Sequence, residues 1–398
     1  MQKRVNLTIN QKYLKKYLNG YPLLEKESVK SWNNITKEGT IVNLLDSKKR
    51  FIAKGYYGKQ NKGYGWVLTL NEKEKIDKPY FSHKISNAIK YRESFFKDKT
   101  TTAFRLFNSE GDGVGGLTID YFNSFYMITW YSLGIYRFKD DILNALKSQV
   151  KYKGIYQKKR FDSKGQYIDD TTDFICGKEA PSPIIIKENS VNFAIYLDDG
   201  AMVGLFLDQR EVRKTIRDKY AKDKSVLNTF SYTGAFSVFA SLGGAKKTTS
   251  VDLAKRSLSK TKEQFNINNI DIEKQDIIVQ DVFSYFKYTI RKDIKFDMVI
   301  VDPPSFARSK KHTFSVAKDY VKLLKDIVNI TNKGGTIVAS TNYSNFNMNK
   351  FKLFIDRAFK ESNRKYKIEK SFSLPKDFRV SPKFKEGDYL KVLFINCI

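Results

Sequence analysis

The sequence predicts an α/β fold: a doubly wound, mainly parallel sheet in the C-terminal half, preceded by a small β domain and a middle α/β domain. Two observations carry that prediction. From about Val191 onward, apolar strand-like runs at 225–230, 249–253, 276–281, 296–302 and 335–340 alternate with amphipathic segments, the pattern of parallel strands covered by helices. Upstream, residues 39–71 alternate apolar and polar positions between Gly, Asn and Asp breakers, which reads as short strands. A chain of 398 residues also exceeds what one core usually holds, since cores rarely grow past about 250–300 residues. The expected division is 1–74, 75–189 and 190–398.

In order along the chain, a mixed segment with Leu14, Tyr17 and Leu18 precedes the strands of 39–71. From Pro79 to about Phe107 the pattern is helical and basic, with Ile85, Ile89 and Phe95 or Phe96 at helical spacing. The glycine-rich run 108–116 then forces a turn, a tight turn more than a phosphate cradle. Residues 117–121 and 125–131 follow as a hairpin, 138–149 as a helix and 154–158 as a strand.

Composition narrows the function. With 72 Lys+Arg against 43 Asp+Glu the formal net charge is +29, which a polyanionic partner explains through counterion release. Nucleic acid is the leading candidate, with lysine-rich composition as the bland alternative. Cys176 and Cys397 are the two cysteines and His83 and His312 the two histidines, so a disulfide framework, a four-cysteine zinc site or a His-rich metal centre is not expected. No apolar run reaches the roughly 18 residues of a membrane span, and a cytoplasmic protein is expected.

The chemistry is expected where parallel sheets bind ligands, beyond the carboxyl ends of their strands. The first strand ends in Asn228-Thr-Phe230-Ser-Tyr232-Thr233-Gly234, a small-residue turn in which Gly234 would let a ligand approach the backbone. The second ends in Asp252, whose carboxylate suits a ribose diol, although a helix N-cap would use the same residue. Replacing Asp252 by Ala is expected to remove ligand binding and leave the fold intact. The third ends at Asp281, followed by Val282, where an acceptor could reach an adenine amino group. The fourth ends in Asp302-Pro303-Pro304-Ser305-Phe306, a rigid edge on which a planar base can be held beside a methyl donor. Asp208-Gln209-Arg210 reads equally as a buried ion pair or as a wall of the same site.

These blocks resemble the motif series of class I S-adenosylmethionine-dependent methyltransferases. More narrowly, residues 104–121, 204–213, 227–236, 250–252, 281–283, 301–306 and 386–390 resemble the RlmI/RlmK-type large-subunit ribosomal RNA methyltransferases across nearly the whole chain. The resemblance implies an N-terminal PUA domain, a middle domain and a Rossmann-like catalytic domain. It also implies S-adenosyl-L-methionine as cofactor, held by Asp208, Arg210, Asn228, Phe230, Tyr232, Thr233, Gly234, Asp252, Asp281, Val282 and Asp302. The implied partner is 23S ribosomal RNA or a large-subunit precursor, with no membrane and with homodimerisation left open.

The chain departs from the cytosine-C5 branch. That chemistry needs a thiolate that adds to the ring, yet Ser305 follows the Asp-Pro-Pro edge and Ser340-Thr-Asn342-Tyr-Ser follows the fifth strand. The asparagine-bearing run 335–348 resembles the guanine-N7 branch. Expected catalytic residues are Asp302, Pro303, Pro304 and Asn342, with no metal, and the expected reaction is guanine-N7 methylation of 23S rRNA. Cytosine-C5 methylation and a non-catalytic RNA-binding assembly factor are the alternatives. Arg308, Lys310 and Lys311, just past the edge, are expected to meet RNA phosphates; His312 reads as a surface residue.

Overall fold

The computed structural model describes residues 5–60, 63–161, 173–200, 202–308 and 313–398. Lys3, Arg4, Lys310, Lys311 and His312 lie outside the described residues. The chain packs as two compact units. One comprises 1–186, 195–203 and 376–387, the other 187–194, 204–375 and 388–398.

In the first unit, strands Val5–Thr8, Ile41–Leu45, Phe51–Gln60 and Gly63–Thr69 form a four-stranded sheet in that order, the first pair parallel and the others antiparallel. A five-stranded sheet follows, made of Ala103–Asn108, Leu117–Phe122, Phe125–Trp130, Gly154–Lys159 and Phe174–Gly177. The expected hairpin is present: Asn123 and Ser124, both at positive φ, turn the chain between two antiparallel strands, as a two-residue hairpin loop requires. The helical expectation for 79–107 is corrected in part. Helices cover Lys78–Tyr91 and Glu93–Lys97, but Ala103–Asn108 is a strand paired with Leu117–Phe122. Five of its six residues are buried, and a short continuously apolar run does not reveal its own period.

The glycine run is a packing device. A Cβ on Gly111 would lie 1.8 Å from the Arg379 carbonyl oxygen and one on Gly115 would lie 2.0 Å from the Trp66 ring, so only glycine fits either place. Beside it, Arg92 is fully buried and donates to both Asp112 carboxylate oxygens, at 2.9 and 2.8 Å, and to the Asp377 carbonyl oxygen.

The second unit holds a seven-stranded sheet. Its strands are β1 (Ser225–Thr229), β2 (Lys247–Asp252), β3 (Asp276–Val279), β4 (Phe296–Val301), β5 (Thr331–Thr341), β6 (Tyr366–Phe372) and β7 (Lys391–Cys397). The spatial order is 3-2-1-4-5-7-6, with β7 antiparallel to both neighbours and the remaining contacts parallel. The central β4 is buried almost throughout, as expected of a strand covered on both faces. Helices α1 (Arg210–Lys219), α2 (Ala235–Leu242), α3 (Arg256–Asn266), α4 (Val282–Arg291), α5 (Val316–Asn329) and α6 (Met348–Glu361) accompany it. In α5 the buried residues Val316, Tyr320, Leu323, Leu324, Ile327 and Val328 recur at helical spacing, which makes the stripe that meets the sheet. Among the described residues no helix is long and apolar enough to cross a membrane.

Removing one member of a buried ion pair leaves the other charge uncompensated, at a cost of about 3–5 kcal/mol. Arg92→Met should therefore lower the free energy of unfolding by about that much in urea titrations, and Arg92→Met/Asp112→Leu should recover a large part of the loss. Equal stability of the single variant and the parent would contradict this account of the first unit.

Candidate active site

Strand register brings the sequence-predicted residues to one edge. Thr229 is level with Val251 and with Val301, Asp252 with Val279, and Val301 with Ala339. Phe230, Asp252, Asp302 and Ser340 therefore stand at the carboxyl ends of β1, β2, β4 and β5, where the switch of strand order opens a crevice.

The turn after β1 is held by its neighbours. Phe230 and Tyr232 adopt positive φ, unusual for bulky residues, and the Tyr232 amide donates to Asp252 Oδ2 at 2.8 Å. The Ala254 amide donates to Asp252 Oδ1 at 2.9 Å, so Asp252 closes an Asx turn and does not cap a helix. Gly234 also has positive φ, and a Cβ there would lie 2.5 Å from Thr261 Cγ2. Its positive φ and its close packing on α3 are thus what the structure shows to require glycine. Thr233 donates its hydroxyl to the Gly204 carbonyl oxygen at 2.7 Å. Asn228 is 1 % exposed and bonds Ser237, which in turn meets Ser250; its side chain belongs to the interior. Asp281 caps α4, accepting from the Ser284 amide, and Val282 is buried behind it.

At the end of β4, Pro303 is buried, Pro304 is exposed, and Phe306 is 63 % exposed. Ser305 donates to Asn342 Oδ1 at 2.6 Å, joining the ends of β4 and β5. Asp302 is tied in from the other side: Gln209 Nε2 donates to Asp302 Oδ2 at 3.1 Å and to Ser340 Oγ at 2.9 Å. Gln209 is 3 % exposed, and its Oε1 has no hydrogen-bond partner among the described residues. Burial pushes the Asp302 carboxyl up to about 6; the nearby Asp208 carboxylate adds to the rise, while Ser340, Gln209 and Arg213 oppose it.

The 204–210 segment is fixed at several points. Arg213 forms a two-bond ion pair with buried Glu188, at 2.7 and 2.8 Å, and donates to the Phe206 carbonyl oxygen. Tyr389 donates to Asp208 Oδ2 at 2.9 Å. Arg210 is 2 % exposed, its Nε 3.5 Å from Glu211 Oε1. Gln209 is the site residue that sequence reasoning passed over. Its signal was the Asp-Gln-Arg block, read there as an ion pair or a wall of the site, with Gln209 given no role of its own.

The arrangement is a row of acceptors, Asp252, Asp302 and the unpartnered Gln209 oxygen, beside an exposed aromatic ring. Known proteins resemble the chain along nearly its whole length. A family model described as S-adenosylmethionine-dependent methyltransferase matches residues 147–383, and one described as a PUA-like domain matches 7–70. The chain is 56% identical, over 98% of both chains, to YwbD of Bacillus subtilis, whose name assigns it to the ribosomal RNA large subunit methyltransferases. It is 29% identical, over 94% of both, to ribosomal RNA large subunit methyltransferase I of Pseudoalteromonas translucida. A crystal structure of SMU.776, named as a methyltransferase complexed with SAH, superposes with a TM-score of 0.91 at 38% identity, covering 98% of this chain and 100% of that one.

Because both Asp252 oxygens accept from backbone amides, Asp252→Ala is expected to weaken the turn as well as ligand binding. Unmaking such bonds costs about 1–3 kcal/mol, so thermal unfolding of the ligand-free Ala variant should shift downward. Asp252→Asn, which keeps one acceptor, should lose less; equal midpoints for parent and Ala variant would show that the turn does not depend on this carboxylate.

Proposed function

The chain belongs to the S-adenosylmethionine-dependent methyltransferases that carry an N-terminal PUA-like domain, and from that premise we propose that it methylates guanine N7 in 23S rRNA. That it is an S-adenosylmethionine-dependent large-subunit rRNA methyltransferase follows from its relatives; those relatives lend no support to a homodimer. In this reading residues 1–74 bind RNA, 75–189 form a middle domain and 190–398 carry catalysis.

The observation that carries the N7 reading is the placement of the two thiols. Cys397 is buried at the far end of β7, whose register puts Asn396 beside Thr336 and Lys391 beside Thr341. It therefore lies at the edge opposite the carboxyl ends of the parallel strands, and burial pushes its thiol up to about 11. Cys176 lies in a strand of the other unit. Ser305, just past the Asp-Pro-Pro edge, bonds Asn342 past the end of β5, and neither is a thiol. Guanine N7 has a free lone pair and no proton, so the reaction asks for alignment and not for a general base, and alignment alone can supply much of the barrier reduction.

The residues present fit the cofactor. Among them a buried oxygen without a partner, Gln209 Oε1, adjoins the Asp302 carboxylate, a donor set suited to a cationic group. Asp252 retains a lone pair on each oxygen for ribose hydroxyls, and Asp281 Oδ2 remains for the adenine edge after Oδ1 caps α4. Asp208, Arg210, Asn228, Phe230, Tyr232, Thr233, Gly234 and Val282 shape the turns around them. When bound, S-adenosylmethionine supplies an electrophilic methyl group on a sulfonium. Phe306 offers a face for the target base, Pro303 and Pro304 stiffen that edge, and Asn342, oriented by Ser305, contacts the base.

Two results test the reading. Cys176→Ala/Cys397→Ala should keep its activity, and the methylated rRNA should become cleavable after borohydride and aniline treatment; 5-methylcytosine as product would overturn the N7 assignment. The second concerns pH. Asp302 is ionised above about 6, and a bound cation favours the ionised form and lowers its pKa. S-adenosylmethionine affinity should thus fall as pH drops through 6, with proton release on binding near that pH, measured by calorimetry in buffers of different ionisation enthalpy. Asp302→Asn should flatten the dependence; a dependence that persists in Asp302→Asn would place the titrating group elsewhere.

A further inference from the structure

Helix Lys78–Tyr91, the glycine turn and the 376–387 segment belong to the first unit, and together they present two weakly neutralised cations, Lys84 and Arg379. Arg92 and Asp112 satisfy each other in the interior. Arg379 stays 45 % exposed, with Nη1 3.8 Å from the already paired Asp112 and its guanidinium 5.0 Å from the ring of Tyr91. Tyr91 is itself exposed, with the Arg92 guanidinium also 5.0 Å from its ring. Lys84 is half-buried, its Nζ 3.1 Å from where a Gly113 Cβ would stand and 5.0 Å from the Tyr80 ring. It makes no salt bridge among the described residues. Burial holds its pKa below the ordinary lysine value, Glu74 opposing and Arg379 adding to the effect.

Withdrawing an ammonium from water next to a second cation, with no close ion pair and only the Glu74 charge to oppose the effect, costs free energy. A solvated lysine of a basic proteome would incur no such cost. The arrangement makes sense when an anion joins Lys84 and Arg379. The planar Tyr91–Arg379 pair beside it has the character of a nucleic-acid contact, where guanidinium and aromatic faces meet bases and phosphates. We propose that Lys84 and Arg379 each grip a phosphate of the substrate RNA backbone, in a unit that does not contain the strand ends where methyl transfer takes place. The proposal rests on the rRNA reading above and adds to it a specific foothold for the RNA.

The test is the salt dependence of binding to transcribed 23S rRNA between about 50 and 200 mM salt, since each phosphate contact contributes roughly one to the slope of log affinity against log salt. Lys84→Ala/Arg379→Ala should reduce that slope by about two, whereas Lys84→Arg/Arg379→Lys should preserve it. Affinity for S-adenosylmethionine should not move in either variant. Should the double Ala variant fail to fold, Arg379→Gln alone should reduce the slope by about one; its packing is made by the backbone carbonyl oxygen, which the substitution keeps. An unchanged slope, including a uniform loss of affinity at every salt concentration, would overturn the proposal. Failure of the parent protein to methylate rRNA, with the slope change intact, would instead sink the enzymatic reading and leave the foothold standing.

Discussion

One side-chain amide ties together the ends of the two central strands. Gln209 joins Asp302 to Ser340, crossing the ends of β4 and β5 from a segment that precedes every strand of the sheet. Each of its ties would be weak in water, but a nearly buried amide cannot rearrange without leaving polar groups unsatisfied. Around it Arg213 holds Phe206, Thr233 holds Gly204 and Tyr389 holds Asp208, so the approach to the site is fixed from several directions. Preorganisation of this kind is what a reaction governed by alignment needs.

Asp302 shows how the same packing sets an electrostatic property. The carboxyl accepts hydrogen bonds that favour its charge, yet burial and the Asp208 carboxylate push the other way, and burial prevails. Because the opposing influences come from residues on different elements, a shift of the 204–210 segment would change the acidity of the group as well as its position.

Much of this was legible in the residues, and the reasons differ by element. The five strands of 225–340 announced themselves because buried parallel strands are short apolar runs between helical stripes, and their ends fell at Asp252 and Asp302 as the pattern implied. The last two strands carried no such label. β6 alternates half-buried and exposed residues beside a single partner, so its identity depends on β7. For Gly234 the structure adds a reason the sequence does not show, the Thr261 side chain on α3. Gln209 was read only as part of its block, because its bridging role lies in contact with a serine 131 residues away. Arg92 was similarly opaque, for its partners come from the turn at Asp112 and from Asp377.

The route of the chain between β6 and β7 bears on how the molecule is made. After β6 the chain leaves the sheet, contributes 376–387 to the first unit, and returns as β7 between β5 and β6. Neither unit is contiguous, and each waits for residues beyond 375 before its packing is complete. During synthesis, when N-terminal domains ordinarily fold first, Arg92 would remain without its Asp377 partner and β5 without its neighbour until the late residues emerge. The nascent chain thus keeps an open sheet edge at β5 until its last strand emerges, and proteolysis or truncation near the C-terminus would disable both units at once.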